Sequence, residues 1–96
     1  MINYKVKYSK EFKKSLKKTI KQGKNIEKLL NVVDILSKKQ PLDSKYKDHS
    51  LYSDKKFKDC RDCHIEPDWL LIYKYLDEEI ILLLVNTGTH NQIFNK

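Results

Sequence analysis

Long apolar runs are missing from these 96 residues. The longest, Ile80 to Val85, is far too short to cross a bilayer, and the opening Met1-Ile2-Asn3-Tyr4-Lys5 alternates apolar with polar residues where a signal core would be continuous. The compartment to expect is therefore the cytoplasm, with no membrane partner. Cysteine is scarce, and two residues in a reducing compartment build no disulfide framework. They do spell Cys60-Arg61-Asp62-Cys63-His64, the C-x-x-C-H string of a c-type haem site. Haem is attached outside the cytoplasm, however, and the string sits in a strand-like stretch whose positions i and i+3 face opposite ways. The same alternation excludes joint zinc ligation or a redox pair by the two thiols, so the string is read as chance. Histidine occurs three times, with no H-E-x-x-H and no helical metal-ligand spacing. Neither a metal nor another cofactor is expected. Repeats and low-complexity linkers are absent, and a chain this short supports one core, so residues 1–96 read as a single domain.

Charge is plentiful. The net is +7, and it is lopsided: residues 1–48 carry 14 lysines against 5 acids, while residues 49–96 carry 6 basic residues against 8 acids. A basic domain attracts polyanions, meaning nucleic acid, an anionic surface or an acidic protein. Charge alone does not choose among them, and most of these lysines read as solvated helix faces.

Periodicity supplies the elements. Ile2, Tyr4, Val6 and Tyr8 alternate with polar residues, as in a half-buried strand. Ser9 suits the N-cap of a helix carrying Phe12, Leu16 and Ile20 on one face, with Gly23 as its stop. A second helix from about Asn25 has Ile26, Leu29, Leu30, Val33 and Leu36 as its stripe and Pro41 as its end. Residues 41–57 are polar and turn-rich and read as a long loop. Three strands follow, at 58–66, 69–76 and 79–86, and a tail whose single helical turn Thr89 caps. The order is β-α-α-β-β-β: an α+β fold with two antiparallel helices packed on a mostly antiparallel four-stranded sheet.

Fold does not give function, so the polar residues near strand ends must. His49, His64 and His90 each lie beside a strand end or a loop. Imidazole titrates near neutral pH and can take one proton and give another in a single reaction. RNA cleavage without a metal needs such a pair. A base takes the 2′-hydroxyl proton, an acid protonates the departing 5′-oxygen, and a cation offsets charge on the phosphate. A lone histidine would read as an ordinary surface residue. Trp69 and Phe94 could stack on unpaired bases, although taken alone core packing is the favoured reading of Trp69, and anchoring of the tail to the sheet is the ordinary reading of Phe94.

Three segments, Tyr46-Lys47-Asp48-His49-Ser50-Leu51, Arg61-Asp62-Cys63-His64-Ile65-Glu66-Pro67-Asp68-Trp69-Leu70-Leu71-Ile72-Tyr73-Lys74 and Thr87-Gly88-Thr89-His90, closed by Phe94, resemble the YafQ branch of the RelE/ParE toxin superfamily. The resemblance covers nearly the whole chain, with the motifs in the family's order and spacing. It implies a bacterial type II toxin, an endoribonuclease that cuts mRNA, usually in the ribosomal A site, and so stops translation. It implies no metal, and products ending in a 2′,3′-cyclic phosphate and a 5′-hydroxyl. Carried over by motif, His49, His64, Asp68 and His90 form the catalytic set, and Trp69 and Phe94 hold the RNA. His49 or Asp68 would be the base, His90 the acid, and His64 would steady the phosphate. Two departures stand out. Relatives often carry Arg just before the Thr-Gly, where this chain has Asn86, which leaves Arg61 or a lysine to meet the phosphate. Strict strand alternation turns Arg61 away from His64, however. Relatives also tend to have Gly in the loop that here reads Ser53-Asp54-Lys55. The implied partners are mRNA, the ribosome and a cognate antitoxin with an acidic, partly disordered segment. The alternatives are a ParE-like gyrase poison, which needs no histidines, and a catalytically inactive RNA- or protein-binding module, for which Asn86 is the suspicious feature.

Overall fold

The alternating opening forms strand β1 (Lys5–Tyr8) in the computed structural model, which describes residues 3–95. Ile2, read as part of that strand, lies outside the described residues. Ser9 stays extended and its hydroxyl accepts the Phe12 amide at 2.9 Å, which starts helix α1 (Lys10–Lys21). Gly23 reverses the chain at φ +82°, and the Asn25 side chain caps α2 (Ile26–Ser37) through the Glu27 amide. Leu29, Val32, Val33 and Leu36 form the buried stripe of α2, spaced three or four residues apart. Leu30 and Ile20, both read as stripe residues, are 56% and 52% exposed. Leu30 sits one residue off the stripe, and α1 buries Thr19 in the place expected for Ile20. The second helix also stops at Ser37, ahead of Pro41, where Lys39 turns the chain at φ 56°.

The stretch 41–57 is not all loop. It contains a single 3-10 turn (Ser44–Tyr46) and a two-residue strand, β2 (His49–Ser50), paired antiparallel with β3 (Arg61–Glu66). The sheet therefore has five strands, one more than the periodicity suggested, because two residues carry no alternation to read. β4 (Trp69–Leu76) and β5 (Ile81–Gly88) complete it, in the order β1-β5-β4-β3-β2. Only the β1–β5 pair is parallel among the described strands. A short helix, α3 (His90–Phe94), follows β5.

Each face of the sheet has its own core. Phe12, Leu29, Val32 and Leu36 from the helices pack on Cys63, Ile65, Trp69, Leu71, Tyr73, Leu82 and Leu84. The other face gathers Leu51, Phe57, Cys60, Leu70, Ile72 and Ile93. β4 thus lies between two cores, which explains its unbroken apolar run. Each fully buried leucine or isoleucine there contributes roughly 1.5–3 kcal/mol. Cys60 and Cys63 fall in different cores and are free thiols, as alternation required. The same alternation turns Asp62 and His64 away from the helices, toward the face that α3 shares.

Candidate active site

Two tight turns bring distant residues together on that face. Pro67 and Asp68 form the β3–β4 turn, and at the far end of β5 the chain swings through Gly88 into α3. Gly88 sits at φ +151°, and a Cβ there would come within 2.7 Å of Gln92 Oε1. That oxygen accepts the Thr89 amide while the Thr89 hydroxyl accepts the Gln92 amide, a reciprocal cap that fixes the first turn of α3. His90 is its first residue. Asp68 Oδ1 accepts the His90 amide at 2.9 Å and lies 2.6 Å from His90 Nδ1. A carboxylate accepts, so Nδ1 carries the proton and Nε2 is the nitrogen left to act. The His90 amide first, and the His90 ring second, hold the exposed Asp68 carboxyl below its ordinary range.

The other two imidazoles arrive from β2 and β3. The His64 ring lies 5.3 Å from the His90 ring, at 65°. Lys47, left-handed at φ 49°, turns its carbonyl to within 2.8 Å of His49 Nδ1. A carbonyl only accepts, so this ring too is protonated at Nδ1 and presents Nε2. Register places His49 opposite Asp62, whose Oδ1 lies 3.1 Å from the same Nδ1. Since the Lys47 carbonyl takes that proton, the approach to Asp62 is a charge contact and not an aligned hydrogen bond. Asp62 Oδ1 is buried with no hydrogen-bond partner among the described residues. Burial pushes its carboxyl up, while His49, then His64, then His90 oppose that shift through their charge. Asp62, only 3% exposed, is thus flanked by His49 across the β2–β3 pair and by His64 two residues along the same strand face. Asp62 escaped the sequence reading as a site residue. The signal that could have found it is its place two residues before His64, on the same strand face.

The remaining candidates separate. Arg61, read as a phosphate contact, faces the helix side and reaches Asp48 Oδ1 with its Nε at 3.3 Å. Asp48 also accepts the Tyr73 hydroxyl. Trp69, read as a platform for RNA bases, is 1% exposed and belongs to the helix-side core. Its Nε1 donates to Thr87 Oγ1 at 3.0 Å, and that hydroxyl donates on to the Leu70 carbonyl at 2.7 Å. No face of the ring is free for a base. Phe94 is half-buried, edge-on to Phe57 with ring centres 5.9 Å apart, and it seats α3 on the sheet. Asn86 is buried, its Oδ1 accepting the Ser15 hydroxyl at 2.6 Å and the Thr87 amide at 2.9 Å. It ties β5 to α1 and brings no cation.

Known proteins resemble this chain over nearly its whole length. The chain is 41% identical over 95 residues to the mRNA interferase toxin YafQ of Escherichia coli (strain B / BL21-DE3), covering 98% of this chain and 99% of that one. YafQ in the crystal structure of the E. coli DinJ–YafQ toxin–antitoxin complex superposes with a TM-score of 0.84 at 38% identity, covering 97% and 99% of the two chains. A metal-bound toxin from Helicobacter pylori does so with a TM-score of 0.87 at 42% identity, covering 95% and 99%. Among the described residues of this chain no three His, Cys, Asp or Glu side chains are grouped to hold an ion, so as placed they do not form a metal centre. The description "Bacterial toxin of type II toxin-antitoxin system, YafQ" matches residues 4–95, and the chain belongs to that family.

Proposed function

We propose that this toxin is an mRNA interferase, an endoribonuclease that cuts mRNA by histidine acid–base chemistry and thereby arrests translation. The observation that carries the reading is the grouping of the histidines with two carboxylates: His49 Nδ1 lies 3.1 Å from the buried Asp62, the His64 and His90 rings pack 5.3 Å apart, and Asp68 holds His90 at two atoms. His49 presents an unprotonated Nε2 when neutral and acts as the base that takes the 2′-hydroxyl proton. The freed 2′-oxygen attacks phosphorus in line, and the bond to the 5′-oxygen breaks. His90, whose positive charge the ionised Asp68 offsets, gives its Nε2 proton to that departing oxygen. The products are a 2′,3′-cyclic phosphate and a 5′-hydroxyl. Each positioned group contributes on the order of 10²–10⁴-fold. Asp68 is a positioning residue, since both its contacts go to His90. His64, whose ring packs edge-on against that of His90 with centres 5.3 Å apart, steadies the phosphate from beside it. Phe94 is the aromatic candidate for contact with RNA.

The substrate implies the setting: a cytoplasmic enzyme, meeting mRNA on the ribosome and restrained by a cognate antitoxin. No helix among the described residues is long and apolar enough to cross a membrane. The test is incubation of the purified protein with free mRNA in the presence of EDTA, and with mRNA on translating ribosomes in the magnesium that they require. Cleavage that leaves cyclic phosphate ends and disappears in His90→Ala supports the reading. Intact RNA in both settings sinks it, and arrest of DNA replication with translation unaffected would favour a gyrase poison.

A further inference from the structure

A cavity of about 530 Å³ opens beside His64, on the helix side of the catalytic cluster. Lys28 and Asn31 of α2 form one wall, Lys45, Tyr46 and Lys47 of the 3-10 turn form the other, and residues 64–67 form the floor. The turn is capped at both ends: the Asp43 side chain accepts the Lys45 amide at 3.0 Å, and Lys47 closes it in the left-handed conformation. Cations dominate the walls. The one acid, Glu66, is matched twice, by Lys28 Nζ at 2.8 Å and Lys24 Nζ at 3.2 Å, which leaves the cavity in excess positive charge. Its volume falls in the range of roughly 300–1,000 Å³ that encloses a small organic ligand, so there is room for a nucleotide.

We propose that this cavity seats the RNA strand flanking the scissile phosphate, with Lys28 and Lys45 meeting backbone phosphates and Asn31 and Tyr46 meeting a base. The proposal rests on the nuclease reading above and adds the path of the strand. Proximity favours RNA over an acidic peptide: the cavity floor ends at residue 64, whose ring packs against His90 on the other face of the same strand. Single-stranded nucleic acid is held in this way elsewhere, by lysines along the backbone with an aromatic ring beside the bases. The cavity also supplies the cations that neither Arg61 nor Asn86 provides.

The test uses a short single-stranded 2′-O-methyl RNA, which the chemistry cannot cut, and the double variant Lys28→Gln/Lys45→Gln. The variant should bind it about 10-fold more weakly, with a salt dependence of affinity shallower by roughly 0.7 for each phosphate that no longer meets a lysine. A 2′-O-methyl dinucleotide, too short to reach the cavity, should bind parent and variant alike. Equal affinity of parent and variant for the longer strand, or no binding by either, overturns the proposal. So does a variant that keeps RNA affinity and loses the antitoxin, which would assign the cavity to an acidic protein segment. Binding needs no catalysis, so a protein that holds the strand through these lysines yet never cuts RNA would fail the nuclease reading alone.

Discussion

One oxygen of Asp68 holds His90 at two atoms, its backbone amide at 2.9 Å and its ring nitrogen Nδ1 at 2.6 Å. The proposed general acid thus takes both its position and its neighbouring charge from a single side chain in another turn. Asp68→Asn keeps an acceptor oxygen for the amide but removes the charge. Misplacing a reacting group by about 1 Å costs about 10²-fold, so kcat should fall roughly 10- to 100-fold while KM changes little. The pH arm follows from the lowered Asp68 pKa. Its contribution to stability is complete above the ordinary value of 3.8 and is lost as pH falls through the lower folded value. Thermal unfolding should show the parent ahead of Asp68→Asn at neutral pH and level with it in strong acid. An advantage that persists in strong acid contradicts the assignment.

His90→Ala removes the proposed acid itself. The loss of cleavage should be about 10²–10⁴-fold, measured as single-turnover rates on the same RNA. The ring is exposed and packs against no core, so unfolding stability should stay within about 0.5 kcal/mol of the parent, and antitoxin binding should persist. Retained cleavage would remove His90 from the mechanism.

Asp62 sets stability against activity. Its folded pKa is raised, so the ionised form costs stability, and the cost grows as pH rises from 3.8 through the folded value. Asp62→Asn removes that cost. The variant should melt no lower than the parent at pH 7, and any gain should vanish as pH falls to the ordinary carboxylate value. Cleavage should meanwhile drop about 10-fold, because His49 loses the charge beside its Nδ1. A variant as active as the parent would reduce Asp62 to a structural residue.

Trp69→Phe separates core from RNA contact. It removes the indole donor to Thr87 and leaves a small void, at a cost of roughly 1–3 kcal/mol. Cleavage per folded molecule and affinity for RNA should not change. Weaker RNA binding at unchanged stability would restore Trp69 to the RNA interface.

Much of this arrangement was readable from the sequence. The helix–helix–sheet order follows from apolar spacing, and alternation alone turned Arg61 away from His64 and parted Cys60 from Cys63. Alternation also held the answer for Trp69, which shares a face with Leu71 and Tyr73 beneath the helices. Its place after Pro67-Asp68 suggested an open strand start instead. What local pattern could not supply was register. His49 meets Asp62 because a two-residue strand pairs across a long connection, and no period announces so short an element. The pairing of Asp68 with His90 likewise depends on two turns 22 residues apart closing at the same end of the sheet.

The parallel pairing of β1 with β5 sets Lys5 opposite Ile81. A contact between such distant positions closes a long loop, and its entropy must be overcome before the pairing gives anything back. A nascent chain therefore keeps its first strand unpaired until β5 has left the ribosomal tunnel, and His90 emerges only after that. Synthesis interrupted earlier leaves a polypeptide with no assembled cutting centre, so the hazard to the producing cell begins with molecules extended past that histidine.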